Sequence, residues 1–274
     1  MRRLLGNHPL LWLGSALMLL EAGAALAAPL IAPYGPDAQD ILARLRGPSW
    51  THLLGTDNFG RDTLSRILFG YRTLFAISAA SVLGALLIGG TLGILAAYRG
   101  GWFGRITMRA MDILFAFPII LLAIGIIAVL GPGAVSTGFA IGIVYIPIFA
   151  RTLRAPALLL READYIAAAR SSGASAIRIL LHHLLPNLSP LILVQTSLSL
   201  STAILVEASL SFLGLGTQPP TPSLGRMLAE SRTFIALSPW VSIFSGAAIL
   251  LASLGFNLLG DGLQDRLDPR LKSH

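Results

Sequence analysis

Apolar residues in this chain gather into six long runs: Leu10 to Ile31, Leu74 to Ala97, Ala110 to Leu130, Val135 to Leu153, Leu188 to Leu213 and Trp240 to Leu259. Each holds roughly 20 residues, the length at which a helix rising 1.5 Å per residue crosses about 30 Å of hydrocarbon. The fourth is the weakest of the six. The runs are continuous rather than alternating, which excludes a barrel, the only other architecture that satisfies the backbone in lipid. The expected fold class is an all-α polytopic membrane protein with six transmembrane helices.

Composition agrees with that pattern. Hydrophobic residues make up 54% of the 274-residue chain and charged residues 12%, against about a quarter charged in a soluble domain, and the mean hydropathy is +0.75. Orientation follows from arginine and lysine, which stay on the cytoplasmic side. With both termini inside, the inner segments hold Arg2, Arg3, Arg99, Arg105, Arg109, Arg151, Arg154, Arg161, Arg170, Arg178, Arg266, Arg270 and Lys272, 13 of the 20 basic residues. The net charge of +7 is thus what topology asks of loop arginines, and no nucleic-acid partner is expected. Arg2 and Arg3 before an apolar stretch and Ala25-Leu26-Ala27 resemble a signal peptide, but the run continues to Ile31 and contains Glu21, so a retained first span is expected.

Two outer segments join the runs. Residues 32 to 73 are rich in turn formers, with Asp57, Gly60 and Asp62 before a helical stretch, Thr63 to Phe75, whose apolar spacing suits a helix lying at the membrane interface or packed on a surface. Residues 1–73 are therefore read as a first span plus this outer segment, and 74–274 as a five-helix core. The second outer segment carries Pro219, Pro220 and Pro222 and a short candidate helix, Arg226 to Phe234. No internal repeat and no second soluble domain is visible.

The stretch ADYIAAARSSGASAIRILLHHLLPN, Ala163 to Asn187, interrupts the apolar pattern. Glu162 and Asp164 place acids at a helix start, Tyr165 to Arg170 continue it, Gly173 permits a sharp turn, and Ser175 to Leu185 can form a second helix before Pro186 opens the next span. The expected unit, about 162–187, is a short cytoplasmic helix, a turn and a helix returning to the membrane. Its small side chains would let another protein approach the backbone; an ordinary amphipathic loop has the same pattern.

Other chemistry is sparse. A P-loop needs a lysine at the phosphates, and the only lysine is Lys272; there are no cysteines, and His8, His52, His182, His183 and His274 all lie outside the runs. Two acids lie within runs. Glu21, near the middle of the first, is expected to be protonated, paired or turned towards protein or water, structural pairing being favoured. Glu207 is expected near the outer surface. At 100° per residue Gln195, Ser199, Thr202 and Ser209 share one stripe of the fifth run, with Glu207 pointing away. Such hydroxyls line a polar path or pack helices together.

Ala163 to Asn187 resembles the EAA loop of ABC importer permeases, whose pattern is Glu-Ala-Ala, three residues, Gly, nine residues, a hydrophobic, any residue, then Leu-Pro. Ala168, Ala169, Gly173, Leu185 and Pro186 fall at those spacings; Ala167 stands in place of Glu and His183 where Ile is common. LIAPYGP, LLGTDNFGRDTLSRILFG, YRGGW, MRAMD followed by FP, and EASLSFLGLGTQPPTPSLGRMLAE extend the likeness to the C-type permeases of the peptide and nickel family, with Gly104 where an acid often follows GGW. The resemblance implies a type I ABC importer permease fold with a cytoplasmic coupling helix, in a bacterial inner membrane. It implies a second related permease, two ATPases and an extracytoplasmic binding protein as partners, with ATP and Mg held by the ATPases and no cofactor in this chain. Asp164, Ala167, Ala168, Ala169, Arg170, Gly173 and Pro186 would couple to an ATPase, and Gln195, Ser199, Thr202 and Ser209 would line the path. Short peptides are favoured as substrate because no His, Cys or Met cluster marks a metal route; nickel chelates, opines and glutathione stay open. A secondary transporter, the rival class, would show inverted repeats, broken helices and midplane ion ligands, none of which the sequence displays. An intramembrane enzyme would need a nucleophile and base cluster, which is also lacking.

Overall fold

A computed structural model describes residues 9–267. The arginines at 2, 3 and 270, Lys272, His8 and His274 lie outside the described residues, and with them the expected placement of both termini. Among the described residues regular structure is helical, apart from two isolated β-bridges, Gln39 with Arg61 and Thr56 with Asp62.

Helix α1 (Pro9–Ile31) coincides with the first run and lies along the last helix, α11 (Trp240–Leu267), burying Ala25 and Ala28. The second run is part of a longer rod. Helix α2 (Thr63–Ala85) passes through one π turn, Leu86–Gly90, into α3 (Thr91–Arg99), a continuous 37 residues. Thr63 to Phe75, read as an interface or surface helix, is instead the end of that rod. Ile67, Tyr71 and Leu74 share an apolar cluster with Ala25, Ile204 and Ala252, so the helical spacing marked contact with protein rather than with a lipid surface.

The third run is broken. Helices α4 (Gly101–Phe115) and α5 (Ile119–Leu130) meet at 90°. Pro118 has no N–H to continue the ladder of α4, and its ring disfavours helical geometry at Phe117. No broken helix was expected; one is present, at a proline that the apolar pattern conceals.

Helix α6 (Ala134–Arg161) is the weak fourth run, extended beyond Leu153. Its lower apolar content follows from its position. It packs against α2, α3, α4, α5 and α9 (Leu185–Phe212), so its polar Thr137 and Tyr145 face protein and are buried. Contact with the α2–α3 rod depends on Gly89 and Gly93, one turn apart, facing Ile146 and Ala150, one turn apart on α6. A Cβ at either glycine would sit on the facing carbonyl. Close backbone approach through small residues is how helices associate in lipid, where the hydrophobic effect does not drive them together.

Helices α7 (Asp164–Ser171) and α8 (Ala176–Ile179) precede α9 at one end of the bundle, the loop end. At the other, the cap end, residues 32–62 fold onto α2 and the second outer segment. The latter forms α10 (Leu224–Ser231) and a 3-10 turn, Arg232–Phe234. Asp57 organises the first part, accepting from the Phe59 and Arg61 N–H groups at 2.8 and 2.9 Å and pairing with Arg61 Nε at 2.6 Å. Asp62 caps α2, accepting from Ser65 N and Oγ at 2.8 Å each and lying 3.0 Å from His52 Nδ1. Arg61 reaches Glu230 at 3.5 Å and Arg226 reaches it at 2.8 Å, joining the two outer segments into one cap.

Candidate functional site

The loop end displays one exposed folded turn. Gly173 has φ +81°, its N–H donates to the Arg170 carbonyl at 2.9 Å, and the Ala174 N–H donates to Ala169 at 3.0 Å. That pair of bonds is a Schellman closure of α7, which needs a left-handed residue after the helix and therefore favours glycine. Ser175 then caps α8, accepting from the Arg178 N–H at 3.4 Å. Asp164, Ala167, Ala168, Arg170 and Gly173 are exposed, Ala169 is half-buried, and Ser171 and Ser172 fold their hydroxyls onto the carbonyls of Ala167 and Ala168. The outward face is thus small and short-branched. Around it lie exposed Tyr165, Ile177 and Leu181, apolar contacts that sequence reasoning did not single out because they look like membrane-facing residues.

Beneath, the turn is anchored. Ile166, Ile179, Leu184 and Leu188 pack with Ala97 and Ala157 in one buried cluster. The Arg170 guanidinium lies 5.3 Å from the Tyr98 ring centre. Arg161 donates to the Ala97 carbonyl at 2.9 Å, satisfying the end of α3, and pairs with Glu162 at 2.8 Å. Glu162, expected at the start of the loop helix, is therefore committed to Arg161; Asp164 alone provides an acid in the first turn of α7.

The second helix of the unit does not stop before the fifth span. α8 runs through a π turn, Leu180–Leu184, directly into α9, a continuous Ala176–Phe212. Pro186, expected at the entry of a span, sits inside this rod and is exposed. It cannot donate to the carbonyl four residues back; the π turn just before it shifts the register, with Leu185 N–H donating to Leu180. Asn187 Nδ2 donates to the neighbouring His183 carbonyl at 2.6 Å. Pro190 leaves the Pro186 carbonyl without its usual donor, and Ser189 Oγ supplies one at 2.7 Å.

The stripe on α9 is unevenly placed. Gln195 and Ser209 are half-buried, Ser199 is buried and Thr202 is exposed. Gln195 Nε2 donates to Ser199 Oγ at 3.1 Å, Ser209 Oγ returns to the Leu205 carbonyl, and Tyr145 of α6 donates to Thr202 Oγ1 at 2.9 Å. Tyr145 was missed, because its apolar neighbours on α6 hide a hydroxyl that reaches another helix. Ser201, outside the stripe, meets Ser253 of α11 at 3.0 Å and serves packing.

Both acids within the runs face protein. Glu21 is 3% exposed, with Tyr71 Oη 3.4 Å from Oε1; Tyr71 also reaches the Ala248 carbonyl at 3.1 Å, linking α1, α2 and α11. Its neighbour is a phenol rather than a basic group. Glu207, expected near the outer surface, is instead 1% exposed and accepts from Ser211 Oγ at 2.8 Å. Position along the helix placed it towards the outside, but the cap-side helix α10 packs against α9 there.

The described residues thus form a helical bundle with five helices long and apolar enough to cross a membrane, an anchored, small-faced turn at one end and a folded cap at the other. The chain belongs to the family of binding-protein-dependent transport system inner membrane components, whose pattern matches residues 89–273. It is 47% identical to the dipeptide transport system permease protein DppC of Alkalihalophilus pseudofirmus, over 91% of this chain and 82% of that one. It is also 47% identical to the glutathione transport system permease protein GsiD of Pectobacterium atrosepticum, over 99% and 90%. The di/tripeptide permease protein DppC of Pseudomonas aeruginosa is 45% identical, over 95% and 88%. Among solved structures, a chain of the MetNI methionine ABC transporter in an inward-facing form matches with a TM-score of 0.60 at 19% identity, covering 74% of this chain and 97% of that one. That last likeness concerns the fold, which is that of an ABC importer permease. The chain is the permease subunit of a binding-protein-dependent transport system.

Proposed function

We propose that this subunit carries di- or oligopeptides inward, together with a second related permease, two ATPases that hold ATP and Mg, and an extracytoplasmic binding protein. The observation that carries this reading is the exposed Schellman turn, α7 to Gly173 to α8, anchored on α3, α6 and α9. A push on its small face is transmitted directly to α9, because α8 and α9 are one rod. ATPase closure at Asp164, Ala167, Ala168 and Gly173 would then tilt the helix that bears Gln195, Ser199, Thr202 and Ser209. The loop end is cytoplasmic in this scheme, with both termini on that side, and the cap receives the binding protein. Ala167 replaces the usual acid, so docking rests on shape and on the flanking Tyr165, Ile177 and Leu181 rather than on a salt bridge there. Glutathione is the second candidate cargo, because a relative aligned over 99% of the chain is a glutathione transport system permease protein.

Single cysteines at Ser171 or Ser172, in a chain that has none of its own, are expected to cross-link to an ATPase in membranes. Cross-links to extracytoplasmic protein would reverse the orientation and sink the scheme. Titrating the partner binding protein with dipeptides, longer peptides and glutathione ranks the cargo.

For the path, cysteines at 195, 199, 202 and 209 are to be labelled with a water-soluble thiol reagent, with and without trapped ATP. Cysteines at 202 and 195 are expected to label in a state-dependent way, and one at the buried position 199 only in a state that opens that face of α9. Protection of all four in every state would assign the stripe to helix packing.

A further inference from the structure

An apolar groove of about 520 Å³ lies on the surface between α2 and α6. It extends from Ala76 on α2 to Ile88 in the π turn that follows, and from Ala134 to Ile146 on α6. Twelve residues of helix correspond to ~18 Å, close to the ~15 Å of hydrocarbon in one leaflet, half of a ~30 Å core. The groove stops where Gly89 and Gly93 bring the rod onto α6, so it occupies only the half of the bundle nearer the cap.

The groove is long enough for the acyl chain of one leaflet, and the charge at its mouth points to the occupant. The floor offers nothing to a polar ligand, since Ser81 Oγ is already engaged by the Ile77 and Gly138 carbonyls at 2.7 Å each.

Arg72 stands at the cap-side mouth, one turn before Ala76 and on the same face of α2. It is exposed, lies 5.8 Å from the Phe69 ring centre, and enters none of the ion pairs found among the described residues. Its neighbours Arg61 and Arg66 are both paired with Asp57. An unpaired guanidinium above a leaflet-deep apolar slot matches a phosphate above an acyl chain. We propose that this groove is a phospholipid site: one acyl chain lies between α2 and α6, and the phosphate rests on Arg72. The lipid seals a seam that the protein leaves open beside its central helix.

The test uses the transporter purified with its partners and placed in nanodiscs of phosphatidylcholine plus phosphatidylglycerol bearing a photoreactive acyl chain. Adducts, mapped by mass spectrometry, are expected to concentrate on residues 76–88 and 134–146 relative to the exposed surface of α1 at Leu19 and Leu26. Arg72→Gln is expected to lower groove adducts about fivefold, the loss of one arginine contact near the headgroups. Gly84→Leu, at a position where an added Cβ meets nothing within 4 Å, fills the slot without disturbing the helix and is expected to lower them as far. Adducts on α1 stay constant in both variants. Groove adducts no denser than those on α1 would overturn the proposal. So would efficient cross-linking of a single cysteine at Ala80 to another polypeptide of the complex, which would make the groove a subunit interface.

Discussion

Gly173→Arg is expected to abolish uptake while leaving the subunit folded and in the membrane. The residue sits at φ +81° in the closure of α7 and an added Cβ meets nothing within 4 Å. The backbone strain of a non-glycine residue there is about 1–2 kcal/mol, well within what an anchored turn with a buried cluster beneath it tolerates. What arginine adds is a long charged side chain on the face proposed to meet the ATPase. Gly173→Ala is the control: it carries the same strain without the obstruction and is expected to retain most of the transport. Measuring uptake and transport-coupled ATP hydrolysis for both separates the effects. Normal coupling in Gly173→Arg would remove the docking role of the turn, and equal loss in both would assign the defect to the backbone.

The second large effect is expected at the cap. Asp62 is 2% exposed, caps α2 through Ser65, and holds the buried His52 ring. Asp62→Ala removes an N-cap, about 1 kcal/mol, and leaves buried donors unpaired at about 1–3 kcal/mol, for a loss of roughly 2–4 kcal/mol. Because those bonds tie residues 49–56 to α2, the loss should appear first as protease cleavage within 32–62 and only then as a lower melting temperature of the complex. Asp62→Asn keeps the oxygen acceptor for Ser65 and is expected to lose less. Unchanged protease resistance in Asp62→Ala would show that the cap is held mainly by Asp57, Arg61 and Glu230.

The turn from α7 through Gly173 to α8 was legible in the sequence because its signals are local. Gly173 two residues past a run of helix formers is a C-cap signature, and the alanines around it read directly as a small face. Pro118 could have been read the same way, yet it was absorbed into an apolar run, since hydropathy counts side chains and ignores a missing N–H. Glu207 failed differently. Its position along α9 was read correctly, but its exposure depends on α10, which arrives from elsewhere in the chain.

The sequence by itself determined the membrane class, the number and approximate limits of the apolar runs, and the turn at Gly173, because helix length, hydrocarbon thickness and left-handed φ are properties of short segments. Only the tertiary structure decided that Thr63 to Phe75 belongs to the second rod, that α8 and α9 form one continuous rod, and that Tyr145 reaches Thr202. It also decided that Gly89 and Gly93 close one half of the α2–α6 seam and leave the other open. Every one of these depends on which helix faces which, and in lipid that choice is made by close packing between distant small residues, a quantity that no periodicity along the chain contains.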